Sequence, residues 1–222
     1  MPLRHVRLMF QIVIALLNSG RQLPRVVTMT IGRPLQHQPE EALKAAVNTF
    51  WRSGYYHTSM RDLLDAMALS RSSLYQAFGN KEALFLLALQ NYREELLASL
   101  AEQLDAADSA WSFIEQLLHS AADTDSQQAS LGCLLFNSAT ELGGEDSLPA
   151  QTARDSVASI NAFFSEVIKR AQREGSITDT RDPDSAAQFL TLSMSGLRLL
   201  MKSGASQQQA RQTVNFILRG LG

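Results

Sequence analysis

Arg71, Ser72, Ser73, Tyr75 and Gln76 bring a guanidinium, two hydroxyls, a phenol and an amide into one short run, and Leu74 and Phe78 stand four apart among them. At helical spacing the two apolar residues share one face, and the polar ones take the face that remains. A guanidinium and a primary amide can each make paired hydrogen bonds to a base edge, whereas hydroxyls serve phosphate oxygens or base edges. This is chemistry for recognising a polyanion.

Such a helix needs a brace. Leu63, Leu64 and Met67, with Asp62 beside them, put an apolar face on a second short helix immediately upstream. Two short helices joined by a tight turn make a helix-turn-helix, in which the second enters the DNA major groove while the first supports it. The boundaries are marked by side chains able to hold free backbone N–H groups: Thr58 or Ser59 for the first helix, Ser70 for the second, Asn80 for a third beginning at Lys81. Upstream, residues 39–53 place Leu43, Val47, Phe50 and Trp51 on one face; Pro39, Glu40 and Glu41 suit that helix's start, and Gly54 its left-handed cap. Downstream, Leu84, Phe85, Leu89, Tyr92, Leu96, Leu100 and Leu104 sustain an apolar stripe for about six turns. A helix that starts beside the reading segment and runs that far is a mechanical connector.

Charge divides at the same place. The 222 residues sum to −2, but residues 1–81 hold ten Lys/Arg against four Asp/Glu, and residues 82–222 hold ten against eighteen. The difference is +6 for the first part and −8 for the second, so the first part is the one expected to meet a polyanion. With 45% hydrophobic residues the chain can bury an ordinary core. One cysteine, Cys133, excludes an intramolecular disulfide framework and a cysteine-based zinc site. His5, His37, His57 and His119 show no metal-ligand spacing, so no metal and no cofactor is expected. Arg4, His5 and Arg7 precede an apolar run at residues 8–17 that resembles the start of a signal peptide, but the run is too short to span a bilayer and no small-residue cleavage site follows. Met29 opens a stretch that reads as a natural N-terminus. Residues 1–36 are therefore expected to pack poorly, either as an upstream extension or as an apolar arm.

Beyond residue 108 no strand pattern appears, and the expectation is an all-α chain with about nine helices. Further helical stripes run through Trp111–Ala121, residues 131–142, residues 157–171, Pro183–Lys202 and residues 206–219, with Asp123 to Ser130 either a loop or a helix start. The last two helices carry more apolar residues than one outer face requires. Phe189, Leu190, Leu192, Met194, Leu197, Leu199, Leu200 and Met201 wrap around much of the first, and Val214, Phe216, Ile217 and Leu218 continue on the second. A helix apolar on two sides must be buried on two sides, either as one central core helix in a monomer or by its own core and a second copy of the chain through residues 183–219; the second is favoured because a helix-turn-helix protein usually reads a two-fold site as a dimer.

The run FWRSGYYHTSMRDLLDAMALSRSSLYQAFGNKEALF resembles the DNA-binding domain of the tetracycline-repressor (TetR) family. The likeness rests on FW..GY, the T-S opening of one helix, the S-R-S-S-L-Y opening of the next, and F-G-N-K-E-A-L. GCLLFNSATEL and GLRLLMKSGASQQQARQTVNFIL are similar, more weakly, to one branch of ligand-responsive members. The resemblance implies a DNA-binding part at residues 37–82 and a helical regulatory and dimerising part at 83–222. It implies that Thr58, Tyr75 and Lys81 hold phosphates, with Arg61 a further contact, and that Arg71, Ser72, Ser73 and Gln76 face the groove. Ser72 and Ser73 can equally be small residues that permit close approach. Ala68 departs from the family's turn glycine, at a penalty on the order of 1 kcal/mol if its φ is positive.

Ligands of this family sit among the helices of the larger part, where Trp111, Cys133, Phe136, Asn137, Phe163, Phe164, Met194 and Arg198 are the candidates to line a pocket. Arg198 stands out, because a charge within an apolar helix needs a partner; Glu141, Glu166 or an anionic ligand would serve, with structural pairing preferred. Some members of the branch sense electrophiles through a thiol, but the neighbours of Cys133 point to burial and inertness. The function so implied is a cytoplasmic, homodimeric repressor on a palindromic double-stranded operator, released by a small-molecule effector. The alternatives are an activator on the same fold, or a helical small-molecule binder without operator function. No nucleophile-elbow, phosphate-cradling glycine loop or metal cluster points to an enzyme.

Overall fold

The computed structural model describes residues 39–123, 130–177 and 182–222. Expectations for the N-terminal extension and for most of Asp123 to Ser130 lie outside the described residues. Among those described there are nine helices and no strand: α1 (Pro39–His57), α2 (Met60–Met67), α3 (Arg71–Phe78), α4 (Lys81–Ala106), α5 (Ala110–Ala122), α6 (Leu134–Glu141), α7 (Leu148–Arg173), α8 (Pro183–Lys202) and α9 (Gln207–Leu221).

Local capping explains most of the boundaries. Ser59, Ser70, Asn80, Ser109, Ser147, Asp182 and Ser206 each accept a hydrogen bond from the N–H three residues on, satisfying donors that a helix start leaves free. Ser59 rather than Thr58 caps α2. α6 begins three residues later than the apolar run at 131–142 suggests, because Gly132 (φ 67°) turns the chain before Cys133. Gly54 has the positive φ expected of a terminator (79°), but its ψ of 174° makes it a break, and helical turns resume through His57.

α1 packs against α2 and α4 over Phe50, Leu63, Leu84 and Phe85, all fully buried, with Phe50 and Phe85 edge to face at 4.9 Å. Leu74 and Phe78 carry α3 onto the same small core. The larger core gathers around α7, which packs against α4, α5, α6 and α8, while α9 lies on α5 and α8. α4 belongs to both cores and runs unbroken for 26 residues, about 39 Å at 1.5 Å per residue. α1 also packs directly on α6, a contact between elements far apart in sequence. No helix among the described residues is long and apolar enough to cross a membrane.

Candidate nucleic-acid interface

α2 starts on a reciprocal cap. Ser59 Oγ accepts from Asp62 N–H at 3.2 Å, and Asp62 Oδ2 accepts from Ser59 N–H at 2.8 Å and from Ser59 Oγ at 2.7 Å. The hydroxyl and then the N–H of Ser59 hold the Asp62 carboxyl below its usual range. α2 ends at Ala68, whose φ of 51° and ψ of 39° are left-handed, and which is the one non-glycine residue with positive φ among those described. The strained turn survives because both neighbours are anchored: Leu63 and Met67 are buried before it, and Leu69 N–H bonds Leu64 O at 3.1 Å across it.

With Leu74 and Phe78 fixing the inner side, α3 turns Arg71, Ser72, Tyr75 and Gln76 outward, all exposed, with Tyr75 48% exposed. Ser73 is half-buried. The Ser72 and Ser73 hydroxyls lie 3.0 and 2.9 Å from Ser70 Oγ, so both are joined to the cap of their own helix. Arg61 extends from α2 with its side chain 90% exposed, and its 3.8 Å pairing with Asp65 is too solvated to hold it. The exposed guanidinium, phenol and amide thus form one polar surface across α2 and α3.

Two of the expected phosphate residues face elsewhere. Thr58 is buried, 1% exposed, and its hydroxyl donates to Gly54 O at 2.6 Å. Its side chain closes the break in α1 instead of standing in solvent. Lys81 Nζ donates to Tyr55 O at 2.9 Å and Thr58 O at 3.0 Å, and sits 4.4 Å from the centre of the Tyr55 ring. An ammonium has three donors, so one remains for an outside acceptor. Lys81 therefore ties the start of α4 to the end of α1, which neither a solvated charge nor a free phosphate ligand would do.

The same segment is held from the other side by residues that sequence reasoning missed. Glu141, at the end of α6, accepts from Tyr55 N–H at 2.9 Å and Tyr56 N–H at 2.8 Å. A Cβ at Gly54 would lie 2.7 Å from the Glu141 carboxylate, so only glycine allows this approach. Tyr56 donates its hydroxyl to Glu145, a hydrogen bond that pushes the phenol up to about 12. The aromatic pair was visible in the sequence, but nothing local marks a partner some 85 residues away.

Of the expected pocket residues, Cys133, Phe136, Asn137 and Arg198 border a cleft of about 480 Å³ between α1, α6 and α8. The other four are elsewhere: Trp111 lies beside Gly222, Phe163 meets Phe113 and Phe164 edge to face, and Phe164 and Met194 are buried core. Arg198 has no ion pair with Glu141 or Glu166. Glu141 is occupied by backbone amides and Glu166 by Lys169, so the expected structural pairing is not made. Cys133 is 5% exposed, with the Tyr92 hydroxyl 3.9 Å from its sulfur. Burial, and next the neighbouring Cys133, push the Tyr92 phenol up.

The chain is similar to known proteins over most of the described residues. The family model for bacterial regulatory proteins of the tetR family matches residues 42–88, and that for the tetracyclin repressor-like C-terminal domain matches residues 111–217. The chain is 28% identical over 190 residues to the HTH-type transcriptional repressor ComR of Escherichia coli K12, covering 85% of this chain and 90% of that protein. It is 29% identical over 185 residues to the repressor BdcR of the same organism, covering 80% and 86%. Among solved structures it resembles a cysteine mutant of the TetR family regulator CifR complexed with 26 bp double-strand operator DNA, with a TM-score of 0.74, 28% identity, and coverage of 85% and 98%.

Proposed function

Because the chain belongs to the tetR family of bacterial regulatory proteins, we propose that it is a homodimeric transcriptional repressor that leaves a palindromic operator when a small ligand binds. The observation that carries this reading is the outward face of α3, where Arg71, Tyr75 and Gln76 are exposed over a buried Leu74 and Phe78. Arg71 and Gln76 read base edges, Tyr75 and Arg61 hold phosphates, and Ser72 and Ser73 allow close approach while bracing the cap. Lys81 offers its third donor to the backbone, and Thr58 seats the turn from behind. These residues belong to a DNA-binding part at residues 37–82, and the rest of the described chain regulates and dimerises.

The second copy docks on α8. Phe189, Leu192 and Leu199 are 42%, 65% and 65% exposed, they follow one another at helical spacing, and Gly196 between them has open space above it. Phe216 of α9, 72% exposed, extends the same apolar surface. A two-fold partner buries that surface and sets the separation of two α3 helices on successive major grooves. The reading also makes the protein cytoplasmic and without catalytic activity of its own, as suits the regulators it resembles.

Two phosphate-holding cations per subunit, Arg61 and Lys81, make four per dimer. The expected slope of log affinity against log salt is about −4 on the chain's own upstream DNA. Footprinting across a salt series measures it. A slope near zero, or no protected palindrome, ends the reading.

A further inference from the structure

The cleft between α1, α6 and α8 has an unbalanced lining. Arg52, Arg198 and Lys202 bring three permanent positive charges to it, and Glu141 brings the one carboxylate. That carboxylate is already spent on the amides of Tyr55 and Tyr56, and none of the three cations forms an ion pair with a described residue. Arg52 and Lys202 are exposed and find water. Arg198 is half-buried, five donors on a rigid fork with no carboxylate among the described residues to take them. A guanidinium withdrawn from water without a partner is unfavourable unless something else completes it.

One unpartnered donor belongs to a residue that borders the cleft. The Trp51 indole N–H is the one buried side-chain polar atom without a partner among the described residues. The Asn137 amide group donates to Leu131 O at 2.8 Å. Trp51 and Phe136 supply broad apolar surface in the same wall. Such a site carries an excess of positive charge, three cations against the one carboxylate of Glu141, while its size lies within the ordinary range for small-molecule pockets.

We propose that this cleft takes an organic carboxylate, held head-on by Arg198 with its apolar body against Trp51 and Phe136. The proposal rests on the ligand-released repressor reading and names the ligand class of that reading. It also supplies the coupling. A second carboxylate in the cleft meets Glu141 as a like charge and draws on the same positive lining. Glu141 then loses hold of the Tyr55 and Tyr56 amides, and that turn provides both carbonyls to which Lys81 is tied. Loosening it frees the start of α4 and the seat of α2 from their tie to α6. The operator-binding arrangement loses its brace without any contact between ligand and DNA.

The test is titration calorimetry of the full-length protein with benzoate and octanoate, and with benzamide and octanamide as neutral counterparts. It is run on wild type, Arg198→Gln and Lys202→Gln, with operator binding measured in parallel. The acids are expected to bind at least about tenfold more tightly than the amides, as a charge-assisted contact requires. Arg198→Gln should remove that preference while leaving ligand-free operator affinity unchanged, which also shows that the variant is folded. Lys202→Gln, at the exposed rim, should weaken acid binding by a smaller factor. Acid should release operator from wild type and not from Arg198→Gln. Equal binding of acid and amide, no binding of either, or an Arg198→Gln variant with undiminished acid preference overturns the proposal and leaves the repressor reading intact. Failure of ligand-free wild type to bind operator sinks the repressor reading, whatever the calorimetry gives.

Discussion

Two exposed faces of this protein are exposed for opposite reasons. On α3 the outward residues are polar and the helix is short, eight residues held by Ser70 at one end and by Leu74 and Phe78 beneath. On α8 the outward residues are apolar and the helix is long, twenty residues already anchored by a full inner face of Ala187, Leu190, Met194, Leu197 and Met201. Water satisfies the first face until a charged, hydrogen-bonding partner replaces it. Water opposes exposure of the second, which is stable only when something apolar covers it. A polar face over a small core is a reading surface, and an apolar face over a complete core is an assembly surface. The chain needs both, since a single eight-residue helix contacts too few base pairs to pick one site by itself.

The largest effect should come from breaking the assembly face. Leu192→Lys with Leu199→Lys puts charge on the α8 stripe without touching the inner core, so the monomer should stay helical. Analytical ultracentrifugation should then give a monomer, and operator affinity should fall on the order of a thousandfold, toward non-specific binding. A dimer that persists would move the interface off α8. Next is the reading face: Arg71→Ala should cost about 1–3 kcal/mol per subunit and relax preference at one base pair of each half-site. Arg61→Ala should weaken all sequences alike. Competition binding with single-base operator variants separates the two, and a uniform loss for Arg71→Ala would reassign it to phosphate.

Smaller effects sharpen how the reading face is held. The Asp62 carboxyl is lowered by the hydroxyl and N–H of Ser59, so its folded pKa lies below the unfolded one. Its contribution is complete above the unfolded pKa and is lost as pH falls through the folded value. Wild type should therefore be more stable than Asp62→Asn at neutral pH, with the gap closing below about pH 4. Thermal melts across that range check it; a gap that widens on acidification contradicts the capping box. Smallest of all, Ala68→Gly relieves a left-handed alanine at φ 51° but adds freedom to the unfolded chain. The net gain should be roughly 0.5 kcal/mol, with α3 contacts unchanged.

Short-range features of the reading face were plain in the residues. The caps at Ser70 and Asn80, the buried pair Leu74 and Phe78, and the outward Tyr75 all depend on neighbours within a few positions, whereas the left-handed turn at Ala68 was expected only from the family resemblance. For Lys81 and Thr58, expected at phosphates, the residues gave no sign of their protein partners, the carbonyls of Tyr55, Thr58 and Gly54, which the break in α1 at Gly54 places within reach. Four of the eight pocket candidates border the cleft. The others are the same kinds of residue on helix faces turned elsewhere, Phe164 and Met194 into the core, and periodicity gives a face without saying what lies across from it.

The amino-acid sequence alone determined the all-α class, the caps at Ser70 and Asn80, the charge division and the polar and apolar character of α3 and α8, while the starts of α6 and α7 and the end of α1 fell elsewhere than periodicity placed them. The caps and the two faces are decided by residues three or four apart, where hydrogen-bond reach and helical pitch leave few alternatives. Only the tertiary structure decided that Glu141 would take the Tyr55 and Tyr56 amides over a glycine with no side chain in the way, and that Arg198 would be left without a carboxylate among the described residues. Those outcomes depend on how α1, α6 and α8 pack. One carboxylate cannot satisfy two distant claimants, and it was the packing that brought the backbone amides within reach.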